Sequence, residues 1–186
     1  MIEFIKVSKS YNKKILEELS FYLADRENMG IFGKSGIGKT TILDLILNLE
    51  KPDSGTINKN FSKVSVVFQE NRLIGEISSL DNLRLITNDD TLAKEVLNKF
   101  GIYDIDKKID LLSGGMQRKV ALARAYLFAG DILIMDEPFT GIDMASKKDI
   151  ADLLNERFKE KSIIIVTHHP EDFKLFSIKQ DKIIHL

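Results

Sequence analysis

The amino-acid sequence predicts an α/β domain with a mainly parallel sheet core, an N-terminal antiparallel β part and an inserted α-helical subdomain. Three observations carry this. The short apolar runs Ile132-Leu133-Ile134-Met135 and Ile163-Ile164-Ile165-Val166 have the length of buried strands. Segments with apolar residues at helical spacing alternate with such runs, the order that gives a parallel sheet covered by helices. The 186 residues are 44% hydrophobic and 30% charged, with 3 prolines and no Gly/Ser-rich linker, as expected of one soluble globular domain without a flexible joint.

Taken in order, Ile2 to Leu23 reads as strands that turn at Tyr11-Asn12-Lys13-Lys14. Met29-Gly30-Ile31-Phe32 is a short strand running into a glycine-rich loop, and Thr40 to Leu49 carries Ile42, Leu45, Ile46 and Leu49 on one helical face. Pro52-Asp53-Ser54-Gly55 makes a turn before a strand at Val64 to Phe68. From about Ser78 to Ile109 the reading is mostly helical, with Leu92, Val96, Leu97 and Phe100 as its apolar face. A helix from Ser113, a strand at Ile132, a helix from Asp143, a strand at Ile163, a short helix from Pro170 and a last strand at Lys182 complete the pattern. Residues 1–186 form a single domain in this reading. Its core is at about 1–69 and 113–186, and its helical subdomain at about 70–112. Ligands of such sheets bind beyond the carboxyl ends of the strands.

Composition excludes several classes. Lys plus Arg is 27 and Asp plus Glu 28, a formal net charge of -1, which argues against nucleic-acid binding through bulk positive charge. With no cysteine there are no disulfides, thiol nucleophiles or Cys-bound zinc. The histidines, His168, His169 and His185, are too few and too clustered for a tri-histidine metal centre. No run approaches the roughly 20 apolar residues of a membrane span, and Met1 to Lys6 lacks the character of a leader peptide, so the expected place is the cytoplasm.

Gly33-Lys34-Ser35-Gly36-Ile37-Gly38-Lys39-Thr40 fits G-x-x-x-x-G-K-[ST], with a strand before it and a helix after it. Glycines let successive backbone N–H groups turn inward onto phosphate oxygens, and the helix start adds its partial positive charge at the same point. Lys39 would reach the β- and γ-phosphates of a nucleotide, and Thr40, followed by Thr41, would present a hydroxyl to Mg²⁺. Asp136-Glu137-Pro138 closes the buried run at Ile132. A nucleotide's Mg²⁺ takes one or two carboxylates, which suits Asp136. Neighbouring side chains on an extended segment diverge, which leaves Glu137 free to orient or deprotonate a water.

Leu112-Ser113-Gly114-Gly115-Met116-Gln117-Arg118-Lys119-Val120-Ala121 adds a third motif. Ser113 is a good helix N-cap, and Met116, Val120, Ala123 and Leu127 share an apolar face. Two glycines in a first helical turn cost stability, and a capped amphipathic helix gives no reason for them. A helix start that approaches a phosphate does.

With these motifs in this order, the chain from about Ile2 to Leu186 resembles the ATP-binding cassette family, in particular the separate ATPase subunits of bacterial transporters. The resemblance implies ATP and Mg²⁺ as cofactors and a second ATPase copy, related or identical. In that pairing the phosphate loop of one subunit and the signature segment of the other enclose each ATP. It further implies that Ser113, Gly114 and Gly115 meet the partner's γ-phosphate, that Tyr11 stacks on adenine, and that Gln69 touches Mg²⁺ or the attacking water. Asp143, at the end of Thr140-Gly141-Ile142-Asp143, joins the two sites or caps the helix behind it. His168, in the register Val166-Thr167-His168, contacts the γ-phosphate, and His169 flanks the helix start at Pro170. Lys39, Gln69, Glu137 and His168 are thus the implied catalytic set, and Thr40, Gln69 and Asp136 the implied metal ligands.

Met116 stands where the family usually has Gln, and Gln117, about 100° further round the helix, cannot take its place. Arg26 stands where a Gly-Glu pair is usual. No C-terminal regulatory domain is expected. Gln69 to Leu73 and Leu80 to Leu83 look like the importer branch for nitrate, sulfonates and taurine. That implies a transmembrane permease docking near Glu70 to Asp110, an extracytoplasmic solute-binding protein, and a peripheral position on the inner face of the cell membrane. Three other readings stand beside it: a soluble cassette protein of translation or repair, a nucleotide-binding regulator without hydrolysis, and a phosphate-loop kinase.

Overall fold

The computed structural model describes residues 1–186, and the chain folds into two sheets with helices packed around them. The first sheet is antiparallel: β1 (Ile2–Ser10) lies between β2 (Lys14–Leu23) and β4 (Ser54–Lys59). Ile2, Phe4 and Val7 point inward from β1, and Phe4 stacks on Phe21 of β2 with ring centres 4.4 Å apart. The β4 strand falls partly where the sequence reads as a turn. Its only part-buried positions are Ile57 and Lys59, so at this sheet edge it lacks an apolar alternation strong enough to announce a strand.

The second sheet holds five parallel strands in the order β5 (Val64–Val67), β6 (Ile132–Asp136), β7 (Ser162–Thr167), β3 (Met29–Phe32) and β8 (Ile183–His185). Alternate residues of its central strands face opposite layers. Leu133, Met135, Ile163 and Ile165 join the core under α4 (Gly114–Phe128) and α5 (Met144–Arg157). Ile132, Ile134, Ile164 and Val166 join the core shared with the antiparallel sheet and α1 (Lys39–Ile46). Each such side chain contributes about 1.5–3 kcal/mol through burial. The expected mainly parallel sheet with an N-terminal antiparallel part is therefore present.

Between β5 and α4 lie α2 (Ser79–Arg84) and α3 (Asp90–Lys99), which pack against each other and against α4. They are shorter than one continuous helical stretch, and only a short 3-10 turn at Ile109–Leu111 follows them. The inward face of α3 is Ala93, Val96 and Leu97, continued by Phe100, whereas Leu92 is 41% exposed. Leu49 is likewise outside, because α1 ends at Ile46 and Asn48 turns left-handed. The last strand begins at Ile183 rather than Lys182, which belongs to a 3-10 turn. The α6 helix (Pro170–Leu175) follows β7 with its proline in the first turn.

Candidate nucleotide site

The register of the parallel sheet brings four strand ends side by side. Phe32 pairs with Thr167 and Asp136 with Val166, while Val67 pairs with Met135. The residues just beyond these ends are Gly33, His168, Glu137 and Gln69. Gln69, Glu137 and His168, with the turn near Tyr11, border an open cavity of about 380 Å³ lined mostly by polar residues.

The glycine-rich loop forms its floor. Gly38 sits at φ 119, a conformation that side chains with a Cβ rarely adopt, and a Cβ there would stand 2.7 Å from Ile15 Cγ2. Ser35, Gly36, Gly38, Lys39, Thr40 and Thr41 line the cavity. Gly33 and Lys34 form the back of the loop, where their carbonyls accept from Lys39 Nζ at 2.7 and 3.1 Å, and the side chain of Ile37 is exposed. Lys39 is buried, and its ammonium lies 4.0 Å from Glu137 Oε1. The start of α1 lies at the same floor and adds its partial positive charge there.

The wall is acidic. Asp136 is 4% exposed, and its Oδ2 accepts from Thr40 Oγ1 at 3.4 Å. Burial, reinforced by the neighbouring Glu137 carboxylate, pushes the Asp136 carboxyl above the usual carboxylate range. A buried carboxylate beside a threonine hydroxyl and the Gln69 side chain is a hard-oxygen donor set of the kind that suits Mg²⁺.

Glu137 is held at both oxygens. His168 Nδ1 lies 2.7 Å from Oε1, and Thr167 Oγ1 lies 3.2 Å from Oε2. His168 Nδ1 and Glu137 Oε1 are thus within hydrogen-bond distance, with the ring tautomer setting which atom donates. Thr167 also meets the buried Asp172 Oδ2 at 3.2 Å and takes the His169 backbone N–H. Burial raises the Asp172 carboxyl as well, partly offset by Lys147 Nζ at 3.8 Å. The His169 ring turns to Glu171 at 3.5 Å, so of the two adjacent imidazoles only His168 pairs with Glu137.

Tyr11 lines the mouth and is 54% exposed, with Ile15 and Thr140 as lining residues that the sequence reading had not marked. Ser113, Gly114, Gly115 and Asp143 do not line this cavity. Ser113 Oγ caps α4 by accepting from Met116 N, and Asp143 Oδ1 caps α5 by accepting from Ser146 N, an interaction that lowers its carboxyl. The two signature glycines differ. A Cβ on Gly115 would stand 2.3 Å from Gly141 O, so packing alone requires that glycine, whereas a Cβ on Gly114 would meet nothing within 4 Å. Gln117 Nε2 donates to the carbonyls of Ile109 and Leu112, which commits it to holding the preceding turn.

Sequence reasoning passed over Arg118. It is 2% exposed and touches the backbone behind both Gln69 and Glu137. Its partners are carbonyls, which carry no sequence signature.

Residues 16–140 match the family model described as ABC transporter. The chain is 34% identical to the Nod factor export ATP-binding protein I of Paraburkholderia xenovorans, over 92% of this chain and 64% of that protein. It is equally similar, at 34%, to the formylaminopyrimidine import ATP-binding protein ThiZ of Halalkalibacterium halodurans, over 95% of this chain and 77% of that one. Among solved structures, the dimeric post-hydrolysis state of the ATP-binding cassette MJ0796 bound to ADP and Pi superposes with a TM-score of 0.86, at 25% identity, over 100% of this chain and 94% of that one. The strand-end cavity, the loop beneath it and these similarities agree: the chain belongs to the ABC transporter family of ATP-binding, ATP-hydrolysing cassettes.

Proposed function

We propose that the chain is the ATPase subunit of a membrane transporter of the importer branch, and that it works by closing with a second copy around ATP. The observation that carries this reading is the meeting of Lys39, Thr40, Asp136, Glu137 and His168 within one strand-end cavity, while Ser113 and Gly114 lie outside it. In this reading the loop N–H groups and Lys39 hold the β- and γ-phosphates, with Lys39 exchanging its loop carbonyls for phosphate oxygens. Tyr11 stacks on the base. Mg²⁺, held by Thr40, Asp136 and Gln69, would supply charge neutralisation on the phosphates. Glu137, fixed by His168 and Thr167, orients and deprotonates the attacking water, and Gln69 and His168 complete the cage around the γ-phosphate. Positioning supplies most of the catalysis in such transfers.

Ser113, Gly114, Gly115 and Asp143 serve the nucleotide held by the other copy. The permease docks near Glu70 to Asp110, beside which Val64, Val66, Phe68, Ile86 and Phe128 line an apolar groove. No helix is long and apolar enough to cross a membrane, so a peripheral position on the inner membrane face comes through that permease. Import and export relatives are equally similar to the chain, at 34% identity, and in this reading direction and cargo lie with the membrane partner and, for an importer, with an extracytoplasmic solute-binding protein.

The test is affinity purification from membranes in MgATP with Glu137→Gln as bait. Recovery of a polytopic membrane protein that stimulates the wild-type ATPase supports the transporter reading. Recovery of ribosomes, or of no membrane protein at all, contradicts it.

A further inference from the structure

Arg118 is a buried cation behind the nucleotide cavity rather than in it. Its Nη1 donates to Phe68 O and, at 3.1 Å, to Asn71 Oδ1, with Gln69 O at 3.4 Å. Its Nη2 donates to Asp136 O and, at 2.8 Å, to Glu137 O, and its Nε donates to Pro138 O at 3.0 Å. One planar fork with five N–H donors thus meets six oxygens on two separate segments, the loop that carries Gln69 and the strand end that carries Asp136 and Glu137. Burial pushes its guanidinium down to about 10, which still leaves it charged at neutral pH and dependent on those oxygens in place of water.

The carbonyls of Asp136, Glu137 and Pro138 are consecutive, and an extended strand would alternate their directions. They converge because Glu137 leaves the strand with φ 47, in the left-handed region. For a residue with a Cβ that conformation is strained, and such strain persists only where the surroundings over-determine it. Arg118 is one of the groups that hold it, beside Thr140 Oγ1, which donates to Glu137 O at 3.1 Å, and Val166 O, which accepts from Glu137 N at 2.8 Å. Arg124 offers a natural contrast: it donates to Arg72 O at 2.8 Å and Asn71 O at 3.1 Å, so it grips the same loop without reaching the Glu137 segment.

We propose that Arg118 is a positioning residue that holds Glu137 in its left-handed backbone conformation and yokes it to the Gln69 loop, so that a displacement of that loop moves the Glu137 carboxylate. Lysine keeps the charge of arginine but only as a point, so it cannot bridge the two segments. A misplacement of about 1 Å in a reacting geometry costs on the order of 10²-fold.

Arg118→Lys is therefore expected to lower kcat about 10- to 100-fold while leaving the Kd for ATP within about twofold. Arg124→Lys is expected to lower kcat less. Asn71→Ala, which removes one of the three loop-side oxygens and leaves those of Phe68 and Gln69, should lower kcat alone, by less than Arg118→Lys, and add little on top of it. Val120→Ala, fully buried on the same helix, serves as the stability control: it should reduce Tm and spare kcat when assayed well below Tm. The proposal is overturned if Arg118→Lys retains kcat, if its loss matches that of Val120→Ala at equal Tm, if ATP affinity falls as far as kcat, or if the Asn71 and Arg118 effects simply multiply. Arg118→Met, which keeps volume without donors, should be worse than Arg118→Lys. Should it fail to fold, the lysine and Asn71 variants still decide.

Discussion

The nucleotide cavity and the start of α4 are built on opposite plans. In the cavity, side chains from five segments converge, and Lys39, Asp136 and Glu137 are each at least nine-tenths buried. At the starts of α4 and α5, Ser113, Gly114 and Asp143 make only local caps or no contact at all. Burial and mutual hydrogen bonds make the first region competent to bind by itself. The second can act only on something brought to it. A binding half and a completing half in one chain are what a face-to-face pair of copies requires, and variants on the two sides should fail differently.

The largest effect is expected from Glu137→Gln, which keeps the shape of the cavity and removes the proposed base. Phosphate release should fall about 10²- to 10⁴-fold with ATP binding retained. Unchanged turnover would remove Glu137 from the mechanism. His168→Ala should lower turnover about 10- to 100-fold through loss of the 2.7 Å contact to Glu137, and His169→Ala much less, since its ring turns to Glu171. Equal effects would show that the imidazoles were assigned to the wrong positions.

On the other side, Gly114→Ala should not lower Tm or single-copy ATP affinity, because its Cβ enters open space, and on the proposed pairing it should reduce turnover by about tenfold. Gly115→Ala should instead cost about 1–3 kcal/mol of stability, seen as a lower denaturation midpoint, because its Cβ collides with Gly141 O. If both glycine variants merely destabilise, the functional half of the contrast is lost.

The smallest effect concerns Asp172. Its carboxyl is raised by burial, so the folded state favours its proton, and the stability tied to it is full below the unfolded value near 3.8 and declines as pH rises through the folded one. Asp172→Asn removes that decline. Its stability relative to the parent should rise from pH 4 to pH 8 by less than about 1 kcal/mol, measured by denaturant titration. A flat difference would mean that Asp172 remains ionised across the range.

What was legible in the sequence follows the same divide. Gly38 and Lys39 could be read directly because phosphate binding by backbone needs glycine at fixed spacing, and the β6 and β7 runs because strands buried on both faces are continuously apolar. The edge strand β4 escaped because it is mostly exposed and its Gly55 looks like a turn. Leu92 and Leu49 were misplaced because helix ends, set by Asp89 at one start and the left-handed Asn48 at one finish, decide which apolar residues stay on the inner face. Arg118 and the packing reason for Gly115 were invisible, since both depend on carbonyl oxygens brought close by the fold. Met116 packs on the core and Gln117 holds a turn, so neither carries the contact that the family's glutamine makes.

The most direct measurement is the mass of Glu137→Gln by light scattering at saturating MgATP, with and without the permease. The account predicts twice the single-chain 21.1 kDa with ATP and a return to single chains on its removal. A species that stays single under both conditions contradicts it.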